Sequence, residues 1–100
     1  MWLRIVSRPG PNLDLIAARR RRKSPARPGQ HMSRAELAAA INRNLDQMKI
    51  DKPADLHVDN RFIAKIERGD ISWPHELRRV ALRRALHAAT DGELGLQNPR

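Results

Sequence analysis

The side chains best suited to recognition chemistry are Asn60, Arg61, Lys65 and Arg68, all within one short segment. Asn and Arg can pair two hydrogen-bonding groups with the edge of a base, and Lys supplies a further donor. Arg61, Lys65 and Arg68 follow one another at spacings of four and three residues, so a helix would place them on one side. An ordinary surface helix of a basic protein shows the same residue types. The elements that position these side chains must therefore decide between the two interpretations.

The segment that carries these residues has the start, the buried stripe and the stop of a short helix. Asp59 is a good N-cap, because its carboxylate can accept from the free backbone N–H groups of the first turn. Phe62, Ile63 and Ile66 can share one face, since residues three and four apart are neighbours on a helix. Gly69 supplies the left-handed residue that ends it. The pattern predicts a helix with an apolar inner face and a basic outer edge.

A second capped helix is predicted upstream, over residues 33–48. Ser33 and Glu36 have the spacing of a capping box. Apolar residues then recur at helical spacing at Leu37, Ile41, Leu45 and Met48. Three consecutive alanines, from residue 38 to 40, would let another helix cross closely. A capped helix, a connection and a second capped helix with a basic edge is the plan of a helix-turn-helix, whose second helix enters the major groove.

These segments resemble XRE-type, phage-repressor-like helix-turn-helix domains. Ser-Arg-Ala-Glu-Leu-Ala at residues 33–38 is similar to the start of their first motif helix, and Arg-Phe-Ile-Ala-Lys-Ile-Glu-Arg-Gly at 61–69 to their second. Asp-Ile-Ser-Trp-Pro at 70–74 and Ala-Ala-Thr-Asp-Gly-Glu-Leu-Gly-Leu at 88–96 are similar to a subgroup from GC-rich bacteria. The resemblance covers residues 12–96. It implies sequence-specific binding of double-stranded DNA and regulation of transcription.

The resemblance also assigns roles to residues, with two departures from the family pattern. It implies base contacts by Asn60, Arg61 and Lys65, which match the exposed positions of the second motif helix. The family usually carries Gln at the second position of its first motif helix, where it meets a phosphate and braces the neighbouring helix. Arg34 stands there, and we expect it to contact a phosphate. The connection over residues 42–58 is longer than usual, and we interpret it as an elongated turn.

Most of the net charge of +9 lies in the N-terminal third of the chain. Residues 1–34 hold nine basic side chains and one acidic one, whereas residues 35–100 hold eleven and ten. A basic block of this kind is the expected footprint of a protein that binds a phosphate backbone. We therefore predict phosphate contacts by the block at the end of the first helix, namely Arg19, Arg20, Arg21, Arg22 and Lys23. The alternative is that the block only solubilises the protein.

The remaining elements complete an all-α domain of about five short helices. We expect a flexible tail at residues 1–11, a domain at 12–96 and a C-terminal tail at 97–100. Asn12 can cap a first helix that Ser24 and Pro25 end. Pro74 suits the first turn of a fourth helix. Thr90 and Glu93 have capping-box spacing, which predicts a fifth.

An enzyme is not expected from this sequence, nor is a metal or another cofactor. The chain has no Cys, and its four histidines lie far apart without metal-ligand spacing. It lacks a Gly-rich phosphate loop. No apolar run approaches the ~18 residues of a membrane span, so no membrane contact and a cytoplasmic location are expected. Trp73, beside Pro74, is interpreted as a plug of the core rather than as a platform for bases.

Two alternatives stay open besides the DNA-binding hypothesis. A protein-interaction module, such as an antitoxin or an adaptor with an unknown partner protein, would use the same fold. RNA binding through the arginine block is the other, although three aromatic residues offer little stacking surface. Binding as a homodimer is expected of a single motif of this size. Either a dimer surface or closure of the monomer core would account for the apolar residues near the C-terminus, Leu82, Leu86, Leu94 and Leu96.

Overall fold

Four α-helices and no β-strand make up the part of the chain described by the structure, a computed structural model that covers residues 10–98. The helices are α1 (Leu13–Arg21), α2 (Arg34–Gln47), α3 (Asn60–Arg68) and α4 (Glu76–Leu86). Single 3₁₀ turns lie at Pro53–Leu56 and Gly92–Leu94. The predicted all-α class is confirmed. The predicted N-terminal tail, apart from Gly10 and Pro11, lies outside the described residues, as does Trp2.

The predicted helix starts are confirmed for the first three helices. The backbone N–H of Leu15 donates to Asn12 Oδ1 at 3.0 Å, and that of Phe62 donates to Asp59 Oδ1 at 3.0 Å. Ser33 caps α2 through a complete capping box with Glu36. Such caps satisfy backbone donors that a helix leaves unpaired at its first turn. These polar residues therefore fix where each helix begins.

Two predictions about the C-terminal third are corrected. Pro74 does not open the fourth helix, because His75 is the N-cap and its Nδ1 accepts from the backbone N–H of Leu77 at 3.0 Å. Thr90 and Glu93 do exchange their capping-box hydrogen bonds. The segment behind them is nevertheless only a 3₁₀ turn of three residues, ended by Gly95 at φ 67°. Three residues do not offset the cost of nucleating an α-helix, so the expected count of five helices is not met.

α2 lies at the centre and packs on both α3 and α4, while α1 packs on α3 and on the C-terminal 3₁₀ turn. Ala38 and Ala40 are buried on α2, where small side chains allow the close helix packing. The largest fully buried apolar side chains come from every helix and from the C-terminal turn: Leu15, Leu37, Ile41, Leu45, Ile63, Ile66, Leu82 and Leu94. None of the helices within residues 10–98 is long and apolar enough to cross a bilayer.

The C-terminal leucines belong to this core. Leu82, Leu86, Leu94 and Leu96 are between 1% and 7% exposed. Side chains buried to this degree cannot form a surface for a second copy of the chain. The interpretation that they close the core of the monomer is therefore the correct one, and the dimer surface predicted there is wrong.

The long connection between α2 and α3, residues 48–59, is tied to the helices on both sides. Asn42 of α2 clamps its far end, because the amide donates to the carbonyl of Val58 at 3.0 Å and accepts from the backbone N–H of Val58 at 2.8 Å. His57 Nε2 lies 2.7 Å from Asp46 Oδ1. A 3₁₀ turn at Pro53–Leu56 occupies the middle, where no element was predicted. The connection thereby holds the N-terminus of α3 against α2.

Candidate nucleic-acid interface

The outer edge of α3 carries the side chains predicted to contact bases. Asn60, Arg61 and Lys65 are all exposed, and the Arg61 side chain is 86% exposed. The opposite face of the helix is fixed by the buried Ile63 and Ile66. Because the buried side chains fix the inner face of the helix and both of its ends are capped, this polar edge has a defined orientation. It supplies amide, guanidinium and ammonium donors along one side of a short helix.

A buried carboxylate on the inner face of α3 binds two arginines from other parts of the chain. Glu67 is 2% exposed, and its two oxygens accept from Arg19 Nε at 2.6 Å and Arg19 Nη2 at 3.2 Å. Its Oε1 also accepts from Arg34 Nε at 2.8 Å. Arg19 completes its hydrogen bonding with the carbonyl of Met32 at 2.9 Å. One acidic side chain thus joins α1, α2 and α3.

The charge state of Glu67 follows from these contacts. Burial alone would raise the pKa of its carboxyl, because water no longer solvates the charge. Hydrogen bonds and the positive charges of Arg19 and Arg34 outweigh that effect, so the pKa lies below its ordinary value. Glu67 is therefore a carboxylate at neutral pH, and both arginines have a charged partner.

Arg34 braces α2 against α3 at the position where the resembled family usually has Gln. Its bond to Glu67 uses Nε, which leaves the two Nη groups for an external acceptor. The side chain is 49% exposed and lines an open cleft of about 460 Å³, here called the Arg34 cleft. Arg20, Arg27 and His31 also line it, and so does Asn60 from α3. The structure thus brings two predicted phosphate contacts, Arg34 and Arg20, to the edge of α3.

The predicted arginine block divides between the interior and the surface. Arg19 borders the Arg34 cleft but is only 4% exposed, and its three guanidinium nitrogens donate to Glu67 and to the Met32 carbonyl, which speaks against the predicted phosphate contact. A second open cleft of about 400 Å³ is lined by the other four members, Arg20, Arg21, Arg22 and Lys23. It shares Arg20 and His31 with the Arg34 cleft, so the two clefts adjoin. Arg22 is half-buried, with Nη1 at 3.4 Å from Nδ1 of His87.

The loop between α1 and α2 is held in place by Glu36. Its Oε2 accepts from the Ser24 hydroxyl at 2.6 Å, and its Oε1 accepts from the backbone N–H of Ser33 at 2.9 Å and from Arg27 Nη2 at 3.2 Å. The Ser24 hydrogen bond, followed by that of Ser33, lowers the pKa of the Glu36 carboxyl to about 2. This network fixes Arg27 beside the Arg34 cleft.

Sequence reasoning missed Arg27, His31 and the role of Glu67. The helix of Glu67 offers Lys and Arg nearby, so local sequence alone favours Glu67 as a surface partner of basic neighbours. Its true partner Arg19 is 48 residues away, which no local pattern reveals. Arg27 and His31 lie in a loop whose path depends on the bond from Ser24 to Glu36. The only sequence signal for Arg27 was the excess of basic residues in residues 1–34. That excess does not indicate which of these residues line a cleft.

Trp73 lies away from both clefts and supports the packing of α4. It packs against the core cluster, and the guanidinium carbon of Arg79 stands 3.7 Å from the centre of a Trp73 ring. A guanidinium at this distance is held by a cation–π interaction. The interpretation of Trp73 as a core residue therefore agrees with its position.

Comparison of the chain with protein-family models, with curated proteins and with solved structures finds no match.

Proposed function

We propose that this protein binds double-stranded DNA in a sequence-specific manner and regulates transcription, with α2 and α3 acting as an XRE-type helix-turn-helix. One observation carries the proposal. The exposed edge of α3, formed by Asn60, Arg61 and Lys65, borders a cleft lined by Arg20, Arg27 and Arg34. Side chains that suit base edges thus stand next to cations that suit phosphates, which is the division of labour in a DNA interface.

The placement of the cations favours a duplex lying across the N-termini of α2 and α3. Arg34 sits in the first turn of α2, where free backbone N–H groups and the helix dipole also favour an anion. A phosphate held there would leave α3 directed at the adjacent groove. Phosphate contacts then set the register, and Asn60, Arg61 and Lys65 read the sequence.

The proposal describes a non-enzymatic DNA-binding protein that needs no cofactor. A regulator of this kind acts where bacterial DNA is, so the proposal includes a cytoplasmic location. A two-fold dimer on matching half-sites stays a prediction, with no surface assigned to it. The subgroup from GC-rich bacteria likewise rests on the resemblance of residues 33–38, 61–69, 70–74 and 88–96.

The alternative of a protein-interaction module has less support. Such a module usually presents a contiguous apolar patch to its partner. Within residues 10–98, Leu13 is the one large apolar side chain that is exposed, at 69%. A single side chain of this kind is ordinary on a protein surface. The Arg34 cleft beside α3 and the cleft that adjoins it are instead lined mainly by charged and polar side chains.

Selection of bound sequences from a random duplex library tests the proposal. The protein is expected to enrich a short motif, and a version with Asn60, Arg61 and Lys65 all changed to Ala is expected to enrich none. Arg43→Ala, an exposed substitution on α2, is the control and should recover the same motif as the unmodified chain. Absence of any enriched motif with the unmodified chain would contradict sequence-specific binding.

A further inference from the structure

A third open cleft borders α3 on the flank next to α4, whereas the Arg34 cleft borders the flank next to α1 and α2. It has a volume of about 470 Å³ and is called the Arg78 cleft. Cationic side chains reach it from two elements: Arg61 and Lys65 from α3 and Arg78 from α4. The sequence patterns assign no role to Arg78.

Arg78 is held in a fixed position at this cleft. Its Nε donates to the carbonyl of Leu56 at 2.8 Å, and its guanidinium carbon lies 5.1 Å from the centre of the Phe62 ring. Because guanidinium is planar, these two contacts orient the whole group and leave its Nη donors for another acceptor. A donor fork fixed before binding loses little side-chain entropy when a phosphate arrives.

The long connection between α2 and α3 supplies the carbonyl that positions Arg78. Leu56 ends the 3₁₀ turn of that connection, and the clamp of Asn42 on Val58 holds the chain two residues further on. The contact of 2.7 Å between His57 Nε2 and Asp46 Oδ1 fixes His57, which lies between Leu56 and Val58. A tight turn between α2 and α3 would not bring a carbonyl to Arg78. The insertion therefore builds one wall of the Arg78 cleft.

The charge at this cleft favours an anion. Arg61, Lys65 and Arg78 are opposed by one carboxylate among the lining residues, Asp59. Asp59 Oδ1 already accepts from the backbone N–H of Phe62 at 3.0 Å, and its Oδ2 lies 3.8 Å from Arg61 Nε. The three cationic side chains therefore outweigh the one carboxylate, and the cleft carries a net positive charge.

We infer that the Arg78 cleft binds a backbone phosphate of the same duplex that α3 reads, on the strand opposite the one held at the Arg34 cleft. The inference rests on the proposed function. A major groove is bordered by the phosphates of both strands, so a helix inserted in it meets one row on each flank. Arg34 and Arg78 stand on the two flanks of α3. By positioning Arg78, the elongated connection thus adds a phosphate contact on the second strand.

The test measures the salt dependence of duplex binding by fluorescence anisotropy, with Arg78→Gln compared with the matched control Arg84→Gln. Arg84 is exposed on the same helix and lines none of the three clefts. Removal of one phosphate-binding group should lower the slope of log K against log salt by about 0.9 for Arg78→Gln. Arg84→Gln should leave it unchanged.

Ethylation of single phosphates of the selected duplex gives a second readout that needs no variant. Interference from phosphates of both strands beside the motif supports the inference, and interference from one strand overturns it. Equal slopes for Arg78→Gln, Arg84→Gln and the unmodified chain would also overturn it while leaving DNA binding intact. Saturation of the cleft by inorganic phosphate together with unchanged slopes would identify a site for free anions and overturn it too. No binding to any duplex would refute the proposed function itself.

Discussion

The exposed arginines at the end of α1 and the pair Arg79 and Arg83 on α4 have the same charge but different surroundings. On α4, Arg79 stacks on Trp73, and both Arg79 and Arg83 bind Asp91. At the end of α1, Arg20 and Arg21 are exposed and line an open cleft. Arg79 and Arg83 thus hold elements of the protein together, whereas Arg20 and Arg21 stay open to an external anion.

The difference lies in the acids and aromatic rings nearby. Asp91 accepts hydrogen bonds from Arg79 and Arg83, so part of the positive charge of this pair is neutralised within the protein. Within the described residues, Arg19 is the one member of the block after α1 that is paired with a carboxylate. The number of arginines in a run thus sets the local positive charge. The positions of the carboxylates in the fold decide which of these arginines are unpaired and can bind a ligand.

The largest effect is expected on stability, from the ion pair between Arg19 and Glu67. Like the pairs of Arg79 and Arg83 with Asp91, it joins elements within the protein. Glu67→Ala should lower the free energy of unfolding by about 3–5 kcal/mol, because Arg19 would be left as a buried charge without a partner. The partly exposed Asp91 is the comparison, and Asp91→Ala should cost only about 1 kcal/mol. Urea denaturation of both variants measures the two losses. Equal losses would contradict the distinction between a fully buried and a partly exposed ion-pair cluster.

A smaller effect is expected on binding from the exposed part of the block. The double variant Arg20→Gln/Arg21→Gln should lower the salt slope of duplex binding by about 0.9 for each phosphate that the protein no longer touches. Arg43→Gln/Arg84→Gln removes the same charge from exposed positions of α2 and α4 and should leave the slope unchanged. Titrations at several salt concentrations give both slopes. If the two double variants behave alike, the α1 block contributes only net charge.

Local signals in the sequence predicted the helix starts well. Asn12, Ser33 and Asp59 each accept a hydrogen bond from a backbone N–H three residues later. A stretch of four residues is therefore enough to predict where the helix begins. Gly69 ends α3 at φ 88° for the same local reason. The exposed edge of α3 followed from the apolar stripe opposite it. These predictions needed no knowledge of the rest of the fold.

Most predictions that failed depended on distant partners. The exceptions are local: the fourth helix begins at Glu76 rather than at Pro74, and the segment after Thr90 forms only a 3₁₀ turn. Arg19 and Glu67 are far apart in the sequence, and either could have been a surface residue. The burial of Leu82 and Leu96 depends on how much room α1 and α2 leave in the core. Arg78 owes its position to a carbonyl of the long connection, whose 3₁₀ turn has no strong pattern. Spacing within one element contains none of this information.

The smallest effect is expected from the loop that carries Arg27. The pKa of Glu36 is about 2 in the folded protein against an ordinary value of 4.5. Because the folded state binds the proton more weakly, the stabilisation is present above pH 4.5 and is lost as the pH falls towards 2. The stability difference between the unmodified chain and Glu36→Gln should shrink over this range. Thermal unfolding at several pH values measures it, with the exposed Glu76→Gln as control, and a constant difference would contradict the network.

The contact between Arg61 and a base is the most direct test of the central claim that α3 reads DNA sequence. Affinity would be measured for the selected site and for every single base-pair change in it, with the unmodified chain and with Arg61→Ala. We predict that Arg61→Ala loses about 1–3 kcal/mol at the selected site and discriminates less at one base pair, with the others unchanged. An equal loss of affinity for every duplex would show that Arg61 contacts only the backbone, and would contradict the account of α3 as the reading element.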